Sequence, residues 1–323
     1  MRKPSIVVVG TMHMDFTVYV DNLPKPGETV LGWNFEMSPG GKGANQAVAI
    51  SRLGADSYLI SRVGDDYVGK LLLENAIRNG VKVDYVKRDA EAHSGVALII
   101  VDAKGENVIA VAPGVDSRIS PRDVEDAENV IASSDAVIAQ LEIPVETAVK
   151  ALELAKAKGK LAVLNPAPAK PLPQRVYKDL DLITPNIREL EALSGVKVRG
   201  DEDVVKAARV LLERGVKTVV VTLGKIGALI VDEKGSRNIA TYDVPVVDTV
   251  GAGDAFNGAL TLALTLGAPI EEAVDFANMV ASLKVTKKGA QAGLPRAGEV
   301  LSFARERGVK LGILKSLEAL TAV

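Results

Sequence analysis

The 323-residue chain has no cysteine and only two histidines. Without thiols it can build no disulfide framework, no thiolate metal site and no cysteine nucleophile, and it suits a reducing compartment such as the cytoplasm. It has no charge excess of either sign, with a formal net charge of −2. There is thus no electrostatic ground to expect nucleic acid or an anionic membrane as partner. Long apolar runs are missing too. Ile6–Val9 is far too short for a signal-peptide core and reads as a first strand. Gly258–Ile270 is interrupted by threonines and too short to span a bilayer. A soluble protein is expected. No internal repeat and no low-complexity linker occurs. No Gly-x-Gly-x-x-Gly follows the first strand, where Val8-Val9-Gly10-Thr11-Met12-His13 stands, which argues against a dinucleotide-binding dehydrogenase.

What is present reads as globular: 47% hydrophobic and 25% charged residues, in a chain long enough for a large core. Apolar strand-like runs recur at Ile6–Val9, Ser57–Val63, Ala136–Leu141, Leu161–Leu164, Leu182–Thr184 and Thr218–Leu223. Amphipathic stretches lie between them at Asn45–Leu53, Gly69–Asn79, Pro144–Ala157 and Glu202–Arg214. Such alternation predicts a mainly parallel sheet covered by helices on both faces, an α/β/α sandwich. Two regions break the rhythm by alternating apolar and polar residues, one around Leu23-Pro24-Lys25-Pro26-Gly27 and one around Asp102-Ala103-Lys104-Gly105-Glu106. They predict a small separate β unit over 16–37 and 94–113, with the α/β body formed by 1–15, 38–93 and 114–323. A projecting sheet leaves one apolar face to cover, by closing on a ligand, by pairing with a second subunit, or both. Trp33 and Phe35 are expected to pack on that sheet. Residues 310–323 read as a short terminal helix.

The most telling stretch is Asp248-Thr249-Val250-Gly251-Ala252-Gly253-Asp254, between a strand-like run (Tyr242–Val247) and a long apolar helical run (Ala255–Leu266). Glycines at such a turn let backbone N–H groups converge on one point, and the helix N-terminus adds positive partial charge: an anion site. A carboxylate at its mouth, Asp254, is out of place unless it handles a proton, as in phosphoryl transfer to a hydroxyl. The plainer alternative is a tight turn with an Asp capping the helix.

Four further motifs stand at Ser38–Ala47 (Ser-Pro-Gly-Gly-Lys-Gly-Ala-Asn-Gln-Ala), Asn165–Ala169 (Asn-Pro-Ala-Pro-Ala), Thr184–Glu189 (Thr-Pro-Asn-Ile-Arg-Glu) and Thr286–Gln291 (Thr-Lys-Lys-Gly-Ala-Gln). Together with Asp248–Asp254, in this order and spacing, they resemble the ribokinase family of sugar kinases across nearly the whole chain. The resemblance implies a ribokinase-like three-layer α/β/α sandwich with a small β lid, and ATP-dependent phosphorylation of D-ribose at its 5-hydroxyl.

It also assigns roles. Asp254 would be the general base, and the backbone of Gly251, Ala252, Gly253 and Asp254 the anion hole. Gly40 and Gly41 would allow close approach to sugar, with Lys42 a point charge and Asn45 a donor and acceptor for hydroxyls. No Gly-Lys-Ser/Thr closes that loop, so it is not a Walker A phosphate cradle. Asp15 and Glu142 would accept sugar hydroxyls. Asn186, Thr222, Gly224, Gly253 and Asn278 would contact nucleotide, and Glu189 would hold Mg²⁺ through water. Asp248 and the backbone carbonyls of Val250, Lys284, Lys287 and Gly289 would bind a monovalent cation, with potassium as activator. Gly293 stands where the family commonly has a serine ligand. His13 departs from the pattern: the family often has asparagine there, in contact with sugar, so the identity of the pentose is open. Other acceptors left open are 2-deoxyribose, fructose, a nucleoside such as adenosine or cytidine, or a keto-deoxy sugar acid. ADP is an alternative donor, and a non-catalytic sugar-binding regulator is the alternative from another class. A homodimer through the lid sheets is expected.

Overall fold

Unbroken Val/Ile/Leu/Ala runs make strands that are buried on both faces, and the first of them shows how. In β1 (Ser5–Val9), Ile6 and Val8 enter one hydrophobic core while Val7 and Val9 enter another on the opposite side of the sheet. The computed structural model describes residues 2–321. The other strands are β2 (His13–Val20), β3 (Gly32–Gly40), β4 (Asp56–Gly64), β5 (Val86–Asp89), β6 (Gly95–Val101), β7 (Asn107–Ala112), β8 (Ala136–Gln140), β9 (Leu161–Asn165), β10 (Leu182–Ile183), β11 (Thr218–Thr222), β12 (Gly227–Asp232) and β13 (Gly235–Ala240). The helices are α1 (Lys42–Arg52), α2 (Tyr67–Arg78), α3 (Pro121–Asp126), α4 (Glu128–Ser133), α5 (Val145–Ala157), α6 (Ile187–Ser194), α7 (Asp201–Glu213), α8 (Ala252–Thr265), α9 (Ile270–Val285), α10 (Ala297–Glu306) and α11 (Ile313–Thr321).

Nine strands form the large sheet in the order β13-β12-β11-β10-β9-β8-β1-β4-β5. All pairings from β11 to β5 are parallel, and the β12 and β13 edge is antiparallel. Apolar residues of α1, α2 and α8–α11 cover one face and those of α3–α7 the other. The expected three layers are present. The remaining four strands make a second sheet, ordered β3-β2-β6-β7, with β2 and β6 parallel. Cross-strand register puts Phe35 beside Val18, Met37 beside Phe16, Phe16 beside Leu98 and Ile100 beside Val108. These residues share one face of the small sheet, on which Phe35, Met37, Leu98 and Val108 are all exposed.

One expectation fails. Tyr242–Val247 is not a strand, and Val246 and Val247 are 65% and 63% exposed. The large sheet ends at β13, and this segment does not extend it. It is held instead by the end of α9: the N–H groups of Val247 and Asp248 both donate to the Val285 carbonyl, at 2.8 and 3.1 Å. The β12–β13 hairpin, which the runs did not announce, supplies that edge.

Candidate active site

Strands β1, β8, β9 and β11 are parallel, so their carboxyl ends meet along one edge, the usual place for a ligand in an open α/β sheet. Only Gly10–Met12 separates β1 from β2, so the chain passes from the large sheet to the small one with His13 at the junction. His13 pairs with Gly40 on β3 and with Gly95 on β6. Helix α1 then starts two residues beyond Gly40, with Gly41 as its cap. These short connections leave His13, Asp15, Gly40, Lys42 and Asn45 little freedom to diverge.

Asp254 lies in the first turn of α8 and is buried. It does not cap its own helix: the cap is Gly251, in the left-handed conformation at φ 79°, and no side chain caps the turn. The carboxylate reaches instead to α1, accepting from Asn45 Nδ2 at 2.8 Å and Gln46 Nε2 at 3.1 Å. Burial pushes its pKa up, against the lowering effect of the Lys42 charge and the two amides. A base raised from the ordinary carboxylate range is better matched to a hydroxyl proton. The expected anion hole is smaller than the sequence implies. The Ala252 N–H turns back onto the Thr249 carbonyl at 3.1 Å, and among the described residues no backbone acceptor takes the N–H of Gly253 or Asp254.

On the small-sheet side, Asp15 and Glu142 stand near His13 and Lys42. Glu142 accepts the Lys42 N–H at 2.8 Å and the Thr11 hydroxyl. Gly40 packs so tightly that a Cβ there would lie 3.0 Å from Asp15 Oδ2. His13 Nε2 is 3.5 Å from Asp15 Oδ1, and its Nδ1 is 3.7 Å from Asp116 Oδ2. Burial lowers the His13 pKa, but Asp116, Glu142 and Asp15 outweigh it and the net direction is up. Burial pushes the Asp15 carboxyl up despite His13. Burial likewise lifts Asp116 to about 6, with His13 opposing. For Lys42, burial is outweighed by Asp254, Glu142 and Glu189, and the ammonium is held above its usual range.

Across the α8 turn, Asn186, Thr222, Gly224, Gly253 and Asn278 line a single cleft of about 640 Å³, together with Ala252 and Thr249. Asn278 is buried rather than on a helix surface, its amide donating to the carbonyls of Ile239 and Ala240 at 3.0 and 3.2 Å. Asn186 and Glu189 hold each other in a capping box at the start of α6: the Glu189 N–H donates to Asn186 Oδ1, and the Asn186 N–H and Nδ2 donate back to the carboxylate. Burial pushes Glu189 up, with Asn186 and Lys42 opposing.

The Asp248 loop departs most from expectation. Asp248 Oδ1 accepts the Val250 N–H at 2.9 Å and Oδ2 accepts the Gly289 N–H at 2.7 Å, joining the turn before α8 to the loop after α9. Of Lys284 only the backbone carbonyl was expected to take part, but its side chain is fully buried and turns into the ring of oxygens. Its ammonium donates to the Asp248 carbonyl at 2.9 Å and the Lys287 carbonyl at 3.2 Å, and stands 3.8 Å from Asp248 Oδ2. Meanwhile the Lys284 carbonyl accepts the Lys287 N–H and the Gly289 carbonyl accepts the Gly293 N–H. The side chains of Lys287 and Lys288 point away, to Glu299 and Glu36.

A buried amide chain behind Asp254 was not foreseen. Gln140 Nε2 donates to Gln46 Oε1 at 2.7 Å, Gln46 Nε2 to Asn165 Oδ1 at 3.0 Å, and Asn165 Nδ2 to the Thr184 carbonyl at 3.3 Å. The Thr184 hydroxyl meets Asn257 Oδ1 at 2.5 Å, and Asn257 Nδ2 donates to the Gly253 carbonyl at 2.9 Å. The available signal was polar residues beside apolar runs: Gln140 closes β8, and Gln46 directly precedes the apolar run Ala47–Ile50 of α1.

Known proteins resemble the chain in sequence and fold. The chain is 40% identical to the ribokinase of Haemophilus influenzae, over 94% of this chain and 99% of that one. It is 35% identical to the deoxyribokinase of Salmonella typhi, over 90% and 95%. The structure of Arabidopsis thaliana ribokinase complexed with ribose and ATP superposes with a TM-score of 0.87 at 31% identity, covering 94% of this chain and 99% of the other. The profile of the pfkB family carbohydrate kinases matches residues 3–297, and the chain belongs to that family.

Proposed function

We propose that the protein transfers the γ-phosphoryl group of ATP to the 5-hydroxyl of D-ribose. The observation that carries this is the position of Asp254. Its buried carboxylate is fixed by Asn45 and Gln46 and feels the charges of Lys42 and Glu142, and the turn that carries it lines the cleft of Thr222, Gly224 and Asn278. Asp15 and Glu142 accept sugar hydroxyls and align the substrate. Asp254 takes the proton of the attacking hydroxyl, and Lys42 with the Gly253 and Asp254 N–H groups holds the charge on the transferring phosphoryl oxygens. Closure of the small sheet over the sugar excludes water as a competing acceptor.

Mg²⁺ bound to the nucleotide neutralises phosphate charge during such a transfer. The residues present suit it through water: Glu189 faces the Lys42 charge, and both its oxygens are already engaged by Asn186. Potassium, the other expected ion, does not fit the Asp248 loop while the Lys284 ammonium occupies it. ATP supply places the reaction in the cytoplasm. The apolar face of the small sheet is covered by that of a second copy, giving a homodimer.

A coupled ADP-release assay with Mg·ATP against ribose, 2-deoxyribose, fructose and adenosine tests the proposal. Ribose should give the highest kcat/KM, and absence of transfer to ribose refutes it. A second reading, 2-deoxyribose as preferred acceptor, is favoured by His13 and by the likeness to the Salmonella enzyme. A preference for 2-deoxyribose in the same assay selects it.

A further inference from the structure

Lysine is almost never fully buried unless paired, because removing an ammonium from water must be compensated by well-placed acceptors. Lys284 is fully buried, and its compensation is specific: two main-chain carbonyls, Asp248 and Lys287, and the Asp248 carboxylate. All three are oxygens of the kind a desolvated alkali cation would use. They also lie just beyond the C-terminus of α9, where unpaired carbonyls and the helix dipole favour positive charge.

A second observation is independent of the hydrogen bonds. A Cβ on Gly293 would lie 3.0 Å from Lys284 Cε, 3.0 Å from the Lys287 carbonyl and 2.8 Å from the Gly289 carbonyl. Gly293 is not in the left-handed region, so the glycine there provides space, and the atoms filling that space include the lysine stem. Any side chain at 293 would crowd the Gly289 carbonyl first, then Lys284 Cε and the Lys287 carbonyl.

The loop so tied is the one that forms the anion hole. Asp248 bonds Val250 and Gly289, and the Cα of Ala290 lies 3.1 Å from where a Cβ of Gly251 would stand. We infer that Lys284 is a tethered cation that orders the Asp248–Asp254 turn from within the chain, so that this kinase needs no monovalent-cation activator. Lys284 is a positioning residue: it acts through the turn and touches neither sugar nor phosphate. The inference rests on the proposed kinase activity only for its rate measurement.

Its test compares the wild type with Lys284→Ala and Lys284→Met, in tetramethylammonium buffer with and without added KCl. Two readouts are followed: kcat for the best acceptor, and thermal melting without substrates. For the wild type, KCl should change kcat less than about twofold and leave melting unmoved. Lys284→Ala should lose at least about tenfold in kcat without KCl, as expected when an anion hole loses its alignment, with KM for sugar nearly unchanged. KCl should restore its rate and raise its melting temperature. Lys284→Met keeps the stem and loses the charge, so it should fold, turn over slowly and stay unresponsive to KCl. A wild type activated tenfold or more by KCl, or a Lys284→Ala variant of normal rate without it, overturns the inference. If no acceptor is phosphorylated, the functional proposal fails by itself. The melting response then decides the role of Lys284: potassium stabilising Lys284→Ala but not the wild type supports it, and equal responses overturn it.

Discussion

Replacing Asp254 by asparagine separates chemistry from folding, because the surroundings allow the change. The wild-type carboxylate accepts from Asn45 Nδ2 and Gln46 Nε2. In Asp254→Asn one oxygen becomes an NH₂ group, which cannot face either donor; an unrelieved clash of that kind costs about 1–3 kcal/mol. Gln46 cannot turn, since its Oε1 is committed to Gln140. Asn45 can, because its Oδ1 has no partner among the described residues and becomes the acceptor when the amide flips. The variant also sheds a buried charge that burial already opposes. The two effects offset each other, and stability should stay within about 1 kcal/mol of wild type, at the low end of typical mutational effects. The rate should not survive. Loss of a positioned general base costs about 10²–10⁴ in kcat, or about 3–5 kcal/mol of barrier at 1.36 kcal/mol per decade. Calorimetric melting and the ADP-release assay measure the two quantities on one sample. A folded Asp254→Asn enzyme within tenfold of wild-type kcat would remove Asp254 as the base.

Three further outcomes are expected. His13 has a folded pKa raised above 6.5, so its charge is fully present below that value and lost as pH rises through the folded pKa. KM for sugar should therefore change near neutral pH, and His13→Asn should abolish that change; a profile identical to wild type would detach His13 from the sugar. Gly251→Ala forces a left-handed φ of 79° onto a residue with a Cβ, placed 3.1 Å from Ala290 Cα. It should lose about 1–2 kcal/mol in denaturant unfolding from the backbone term alone, and kcat as well; an unchanged midpoint and rate would contradict the rigid turn. Leu98→Glu with Phe35→Glu charges the bare face of the small sheet and should yield monomers in sedimentation, while a monomeric wild type would refute lid pairing.

The body of the fold was legible because its strands are unbroken apolar runs, and β1, β4, β8, β9 and β11 lie where those runs lie. Tyr242–Val247 carries the same pattern without a strand, because composition does not reveal that the sheet has already ended at β13. In the site, Asp254 was legible from its glycine turn, but its partners were not. Which amide faces a carboxylate depends on how α1 packs on α8, a long-range contact with no local signature. Asp116 was missed for the same reason: it lies in a single turn of helix after β7 and reaches His13 only through the fold. Lys284 left a faint trace, a lone charge inside the apolar end of α9, and its neighbour in space, Gly293, read as a mere vacancy.

The amides behind Asp254 form a row with a polarity. Gln140 gives to Gln46, Gln46 gives to Asn165, and Asn165 gives to the Thr184 carbonyl; Gln46 and Asn165 accept on oxygen and donate from nitrogen, while Gln140 Oε1 has no partner among the described residues. Such a row behaves like a ratchet pawl. Neither Gln46 nor Asn165 can reverse alone without opposing like poles, and the main-chain carbonyl of Thr184 at the end of the row sets its sense. Gln46, in the middle, therefore always shows an N–H to Asp254, and the base meets the same donor in every turnover without any group at the reacting centre having to choose its orientation.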